Sequence, residues 1–206
     1  MLDKIIIEID KIVKTLTVEQ HSNRLHPDHM FAEDELSPSD KKHSCGLMRV
    51  NHSGEICAQA LYQGQALTAR DKSNTQIFQD AASEETEHLA WTAKRVEELG
   101  GRTSILNPFF YVGSLAIGVT AGLLGDKWNL SFLEETEKQV ERHLEEHLDI
   151  LPPEDRKSRA IVAQMKIDET KHAKMAHDLG AATMPLPFRA LMQLSSKIMT
   201  KSAYYI

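Results

Sequence analysis

Two short stretches carry the chemistry of this sequence. "ETEH" spans residues 85–88 and "ETKH" spans 169–172, each placing a glutamate three residues before a histidine. On a helix, positions i and i+3 share a face, so each motif aims a carboxylate and an imidazole at one point. Taken alone the pattern says little. With ten histidines and eighteen glutamates in 206 residues, about one such match arises by chance. The first motif, however, sits in "ASEETEHLAW" (82–91), an acidic run that ends in large apolar residues. A helix would carry that pattern if one carboxylate and the imidazole pointed inward.

Position is the stronger argument. In an antiparallel helix pair, residues equally far from the turn face each other. A turn is expected near residues 71–72, and reflecting 85–88 through it lands on 55–58, where Glu55 is the only acid between Lys41 and Arg70. A lone carboxylate on a helix with few charges is expected to be buried, and a buried carboxylate needs a partner. A second turn is expected at Pro152 and Pro153, and reflecting 169–172 lands among Glu134, Glu135 and Glu137. Of these, Glu137 keeps the offset best: it precedes Glu169 by 32 residues, as Glu55 precedes Glu85 by 30. Glu84 and Glu87 are expected in solvent, as are Glu141 and Glu145.

Four carboxylates and two imidazoles make a hard, oxygen-rich set, suited to two iron or manganese ions and not to tetrahedral zinc. Four negative charges also offset two divalent cations. The same set defines ferritin-like di-iron bundles, which supply the template for this comparison. The alternative is an acidic bundle whose Glu–His pairs only hydrogen-bond.

The elements that must position these residues are helical. Leu2, Ile5, Ile6, Ile9, Ile12, Val13 and Leu16 repeat at helical spacing, so 2–16 reads as an amphipathic helix. Residues 17–43 read as an irregular connection. A long helix is expected from about Ser44 to Arg70, and a second from about Thr75 to Leu99, stopped by "GG" at 100–101. "SFLE" (131–134) has the form of a capping box, so a third is expected to start near Phe132. "LPPED" (151–155) ends it and starts a fourth, which runs to Gly180. No run alternates with period two for long enough to suggest a sheet.

Composition bounds the function. Hydrophobic content of 41% and charged content of 26% describe a globular protein. The net charge of −6, with no long basic stripe, excludes nucleic acid as a partner. Cys45 and Cys57 make no disulfide framework; on one helix they would stand roughly 18 Å apart. The start "MLDKIIIEID" resembles neither a secretory signal nor a transit peptide.

At "LMRVNHSGEICAQALYQGQAL" (47–67) the sequence resembles the demethoxyubiquinone hydroxylase family, ferritin-like di-iron monooxygenases of ubiquinone biosynthesis, in its short bacterial form. The likeness continues through "EETEHLAW", "TEKQVERHL" and "SRAIVAQMKIDETKHA", and so covers nearly the whole chain. It implies Glu55, Glu85, His88, Glu137, Glu169 and His172 as ligands of two iron ions, and it favours Glu137 over its neighbours. It further implies O2 and a polyprenylated demethoxyubiquinol as substrates, and NADH or reduced quinone as electron source. Contact with other ubiquinone-biosynthesis proteins, oligomerisation, and a peripheral place on the cytoplasmic face of a bacterial inner membrane complete the expectation. His143 follows Glu137 by six residues and is a candidate to support a ligand, or a satisfied histidine on a helix flank. His52 is a weaker candidate of the same kind. Tyr62 shares the face of Glu55, for hydrogen bonding, electron transfer or plain core packing.

The run 104–125 has no charge and is long enough to raise the question of a membrane span. Pro108, Gly113, Gly118, Gly122 and Gly125 make it a weak single helix, and it must join two halves of one bundle. It therefore reads as an apolar cover lying in one leaflet. The C-terminal segment, with Arg189, Lys197 and Lys201 and no acid after Asp178, would lie beside it on anionic lipid. The alternative is that these segments only complete the core. The expected architecture is all-α: a ferritin-like four-helix bundle with a long apolar crossover and amphipathic N- and C-terminal helices. One domain spans 1–206, with N-terminal helix and connection at 1–43, core at 44–180 and basic segment at 181–206. Two rival functions use parts of the same pattern: a ferritin- or rubrerythrin-like iron-handling or peroxide-scavenging protein, and a metal-free structural or lipid-binding bundle.

Overall fold

A computed structural model describes residues 2–206. The side chains of Leu2 and Ile5, which the periodicity puts on the apolar face of the first helix, lie outside the described residues. Seven helices and no strand occur among the described residues: α1 Leu2–Thr17, α2 Pro38–Thr68, α3 Lys72–Glu98, α4 Asn107–Leu123, α5 Asp126–Ile150, α6 Arg156–Asp178 and α7 Leu186–Tyr205. The pairs α2/α3 and α5/α6 form the four-helix core, and α4 is the crossover between them.

Three of the four core helices start where a side chain can receive the first free backbone N–H groups. Ser37 caps α2 by accepting from Asp40 N at 3.1 Å, with Pro38 in the first turn. The helix therefore begins six residues before the expected Ser44, in "SPSD". Asp71 caps α3 by accepting from Ser73 N at 2.8 Å. Asp155 caps α6 by accepting from Ser158 N at 3.0 Å. Helix α5 departs from expectation. It begins at Asp126 after Gly125, whose φ of 106° lets the chain turn sharply out of α4. "SFLE" is thus no cap but helix interior: the Ser131 hydroxyl donates to Lys127 O at 2.8 Å and accepts from Ala182 N at 2.8 Å.

The crossover is a continuous helix, against the expectation that its proline and glycines would weaken it. Pro108 falls in the first turn, where its missing N–H is not needed. The glycines serve contact between helices. A methyl group on Gly64 would come within 2.5 Å of Leu115 O, and one on Gly118 would collide with Leu61 O, so α2 and α4 touch along their backbones. Among the described residues, no helix is both long and apolar enough to cross a membrane.

Two apolar plugs close the core. At one end, Met48 of α2, Trp91 of α3, Leu144 of α5 and Met165 of α6 pack together. At the other end Tyr62, Phe78, Leu133 and Ala176 do the same. Each fully buried large side chain contributes roughly 1.5–3 kcal/mol. Residues 55, 85–88, 137 and 169–172 fall between the two plugs. Outside the core, α1 buries little: Ile12 and Leu16 pack near Ile56 and Tyr111, while Ile6, Ile9 and Val13 are exposed. Helix α7 lies across α2 and α5, with Phe188 edge-on to Trp128 and Arg49 donating to Tyr204 O at 2.8 Å.

Candidate metal centre

Between the plugs the six expected residues converge, all of them buried. They form two overlapping groups. Ligand atoms of Glu55, Glu85, His88 and Glu169 lie within 4.8 Å of one another, and so do those of Glu85, Glu137, Glu169 and His172. Glu85 and Glu169 belong to both. His88 Nδ1 is 3.1 Å from Glu85, 3.2 Å from Glu169 and 3.7 Å from Glu55. His172 Nδ1 is 3.3 Å from Glu169, 3.5 Å from Glu137 and 3.8 Å from Glu85.

The electrostatics of this arrangement favour a cation. Burial, and then the Glu85 charge, push the Glu55 carboxyl well above its ordinary range. Burial and the Glu169 charge do the same to Glu137. Burial works to lower His172, but hydrogen bonds to Glu137 and Glu169 outweigh it and raise its pKa to about 12. Crowded carboxylates of this kind hold protons that a metal ion would displace. Glu85 Oε1, although buried, has no hydrogen-bond partner, and a buried polar atom left so is costly. An orphaned oxygen inside two hard donor groups fits two divalent ions.

The distal nitrogens reveal two residues that spacing arguments missed. His88 Nε2 donates to Asp168 at 3.3 Å, and His172 Nε2 donates to Glu84 at 3.0 Å. Each imidazole is held by the acid that immediately precedes the other motif's glutamate. These bonds leave Nδ1 of each ring free to face the carboxylates. The signal was present as an acid before each motif, Glu84 before Glu85 and Asp168 before Glu169. Glu84 is exposed as expected, yet it serves the site. Glu87 departs from expectation: it is buried and accepts from Ser22 and from the backbone N–H groups of Asn23 and Arg24.

The remaining candidates separate clearly. Glu134 pairs with His177 at 3.2 Å and with Lys138, and Glu135 pairs with Arg189 at 3.1 Å, so both face away from the cluster. Tyr62 is fully buried and donates its hydroxyl to Glu137. Burial and the charge of Glu137 keep that phenol protonated. His143 is not brought to the cluster. Its ring packs 3.9 Å from His147, and its Nε2 has no partner. His52 is buried, meets Asn107 at 3.3 Å, and is lowered by burial to about 4.

An apolar cavity of about 620 Å³ adjoins the cluster. Its walls come from α2, α4, α5 and α7, with Phe109, Ile117, Phe132 and Leu191 among the lining residues. Glu55 and His143 reach it from the core. A metal held by this cluster would lie beside an apolar cavity suited to a largely hydrocarbon ligand.

Known proteins match this description. A 3-demethoxyubiquinol 3-hydroxylase of Chromobacterium violaceum is 62% identical over the full length of both chains. So is one from Laribacter hongkongensis, also 62% identical. One from Nitrosomonas eutropha is 55% identical, covering all of this chain and 99% of its own. Among solved structures, the dodecameric thioferritin of Bacteroides fragilis, a bacterioferritin-related protein, aligns with a TM-score of 0.54 at 20% identity. It covers 75% of this chain and 90% of its own, a likeness of fold. The family described as ubiquinone biosynthesis protein COQ7 matches residues 42–203, and the chain belongs to it.

Proposed function

We propose that this chain is an O2-dependent monooxygenase that hydroxylates the ring of a polyprenylated 3-demethoxyubiquinol. Glu55, Glu85, His88, Glu137, Glu169 and His172 hold its two iron ions. The observation that carries the reading is the apolar cavity that meets the carboxylate–imidazole cluster at Glu55. Full-length relatives named for this reaction supply the substrate class.

When bound, the iron pair supplies the redox chemistry that activates O2. The chain does the rest. Glu85 and Glu169 belong to both donor groups and would help to hold either ion, while Glu55 and Glu137 each belong to one. Asp168 and Glu84 hold the two imidazoles in the orientation that presents Nδ1. Tyr62 keeps its proton and donates it in a hydrogen bond to Glu137. Phe109, Ile117 and Leu191 line the cavity and would meet the ring and the first part of the tail along α4 and α7. NADH or reduced quinone is the electron source in this reading.

The outer face supports a peripheral membrane location. Ile6, Ile9 and Val13 of α1, Phe109, Val112 and Ile117 of α4, and Leu191, Leu194 and Ile198 of α7 are exposed. Lys197 and Lys201 add positive charge on α7, where Arg189 is paired with Glu135, which suits anionic lipid on a cytoplasmic face. The lipid-soluble tail would then enter the cavity from the bilayer. Incubating the iron-loaded protein with demethoxyubiquinol, reductant and isotopically labelled O2 tests the function. The expected product is heavier by one labelled oxygen atom; an unchanged quinol, with iron bound, overturns the proposal.

A further inference from the structure

The irregular chain of residues 18–37 runs outside α3 and α6 and touches both supports of one imidazole. Ser22 accepts from Trp91 Nε1 at 2.9 Å. Ser22, Asn23 and Arg24 together satisfy the buried Glu87. The Arg24 guanidinium lies 4.8 Å over the Trp91 ring and donates through Nη1 to Asp168 at 2.8 Å. Asp168 accepts from His88 Nε2, also from Gln164 at 3.0 Å and Lys171 at 3.2 Å. Trp91 itself packs on the His88 ring, with 5.3 Å between centroids. This strap lies outside the residues matched by the family.

The other imidazole has thinner support. His172 Nε2 donates to Glu84, whose side chain is 52% exposed against 4% for Asp168. Among the described residues Glu84 makes no other ion pair. On the same side, Glu137 is shared with the Tyr62 hydroxyl. A buried carboxylate that several donors hold in place fixes the orientation of the imidazole it accepts from. An exposed carboxylate is screened by water and keeps its side-chain freedom.

We propose that the strap clamps one of two unequal metal positions. Arg24, a positioning residue acting through Asp168, makes the position of Glu55, Glu85, His88 and Glu169 hold its ion more tightly than the position of Glu85, Glu137, Glu169 and His172. The ions therefore load in order, with the His88 position first. This inference rests on the ligand set proposed above.

Titration of the metal-free full chain with cobalt(II) tests it, read as ions bound per chain by equilibrium dialysis and as d–d absorption. Two steps are expected in the unaltered protein. His88→Ala should abolish the tighter step and His172→Ala the weaker one. Arg24→Gln should weaken the tighter step roughly 10-fold, within the range for residues that back metal ligands. It should leave the weaker step in place, which also reports that the variant is folded, and Arg24→Lys should recover part of the loss. Glu84→Gln should alter only the weaker step. Equal steps in the unaltered protein, a tighter ion lost with His172, or Arg24→Gln moving both steps or neither would overturn the clamp while leaving the ligand set standing. No cobalt bound at all would take the ligand set down with it.

Discussion

Glu85 and Glu169 each face both imidazoles, and this sharing sets the expected pattern of loss. On the proposed ligand set, Glu85→Ala or Glu169→Ala removes an oxygen from both groups. Bound iron should fall towards zero. Glu55→Ala or Glu137→Ala should leave one ion, and metal analysis after dialysis separates the two outcomes. The convergence of the six residues was legible because reflection through two turns needs only spacing. The acids behind the imidazoles were not, because Asp168 serves His88 and Glu84 serves His172 across the two halves. Reflection within a pair cannot find a contact between pairs. The partners of Glu87 lie in a strap with no periodicity, so that residue was read as solvated. Two histidines away from the cluster also make an acid prediction. Burial lowers His147 to about 2 and His52 to about 4. Unfolded imidazoles take up protons below about pH 6.5 while these folded ones stay neutral, so stability falls as pH drops through that value. By pH 5 the loss should reach about 2 kcal/mol per histidine. Thermal melts of the unaltered protein and of His147→Gln check this, and the variant should show the shallower dependence on pH.

At the scale of elements, the caps and stops at Asp71, Asp155 and the paired prolines were readable from residue type, and their helices start near the expected places. Two elements were misread for one reason: a local motif was given a local meaning. Ser131 and Glu134 match a capping box, but Gly125 had already started α5. The glycines of α4 weaken an isolated helix, yet here they let its backbone rest on α2 at Gly64 and Leu61. Such contact recovers through packing what propensity loses. Gly118→Val should force the helices apart and cost about 1–3 kcal/mol, as overpacking does. A melting temperature lower by roughly 2–4 °C per kcal/mol is the expected reading. Because α4 walls the cavity, the same variant should raise the KM for quinol while leaving bound iron unchanged.

Over the whole molecule, α1, α4 and α7 each leave apolar residues exposed, the surface proposed to face lipid, and α7 adds basic charge. If this face docks on lipid as proposed, it should sediment with anionic vesicles, and less with neutral ones. Phe109→Asp and Ile198→Asp each remove a large apolar contact worth roughly 1.5–3 kcal/mol, and should lower vesicle partitioning about tenfold or more. Retained partitioning in the double variant would exclude this face. The exposed apolar stripe was legible as composition. Its shape was not, because it depends on how three separate helices meet.

The crossed support of the imidazoles has one more consequence. Neither helical hairpin owns a complete set: α2 and α3 carry Glu55, Glu85 and His88, while α5 and α6 carry Glu137, Glu169 and His172. On the proposed ligand set each group of donors straddles the seam between hairpins, and a bound ion would tie the two together. Iron uptake and closure of the seam would then be one equilibrium, and on that reading an iron-starved cell should hold this protein in a looser, more readily digested form.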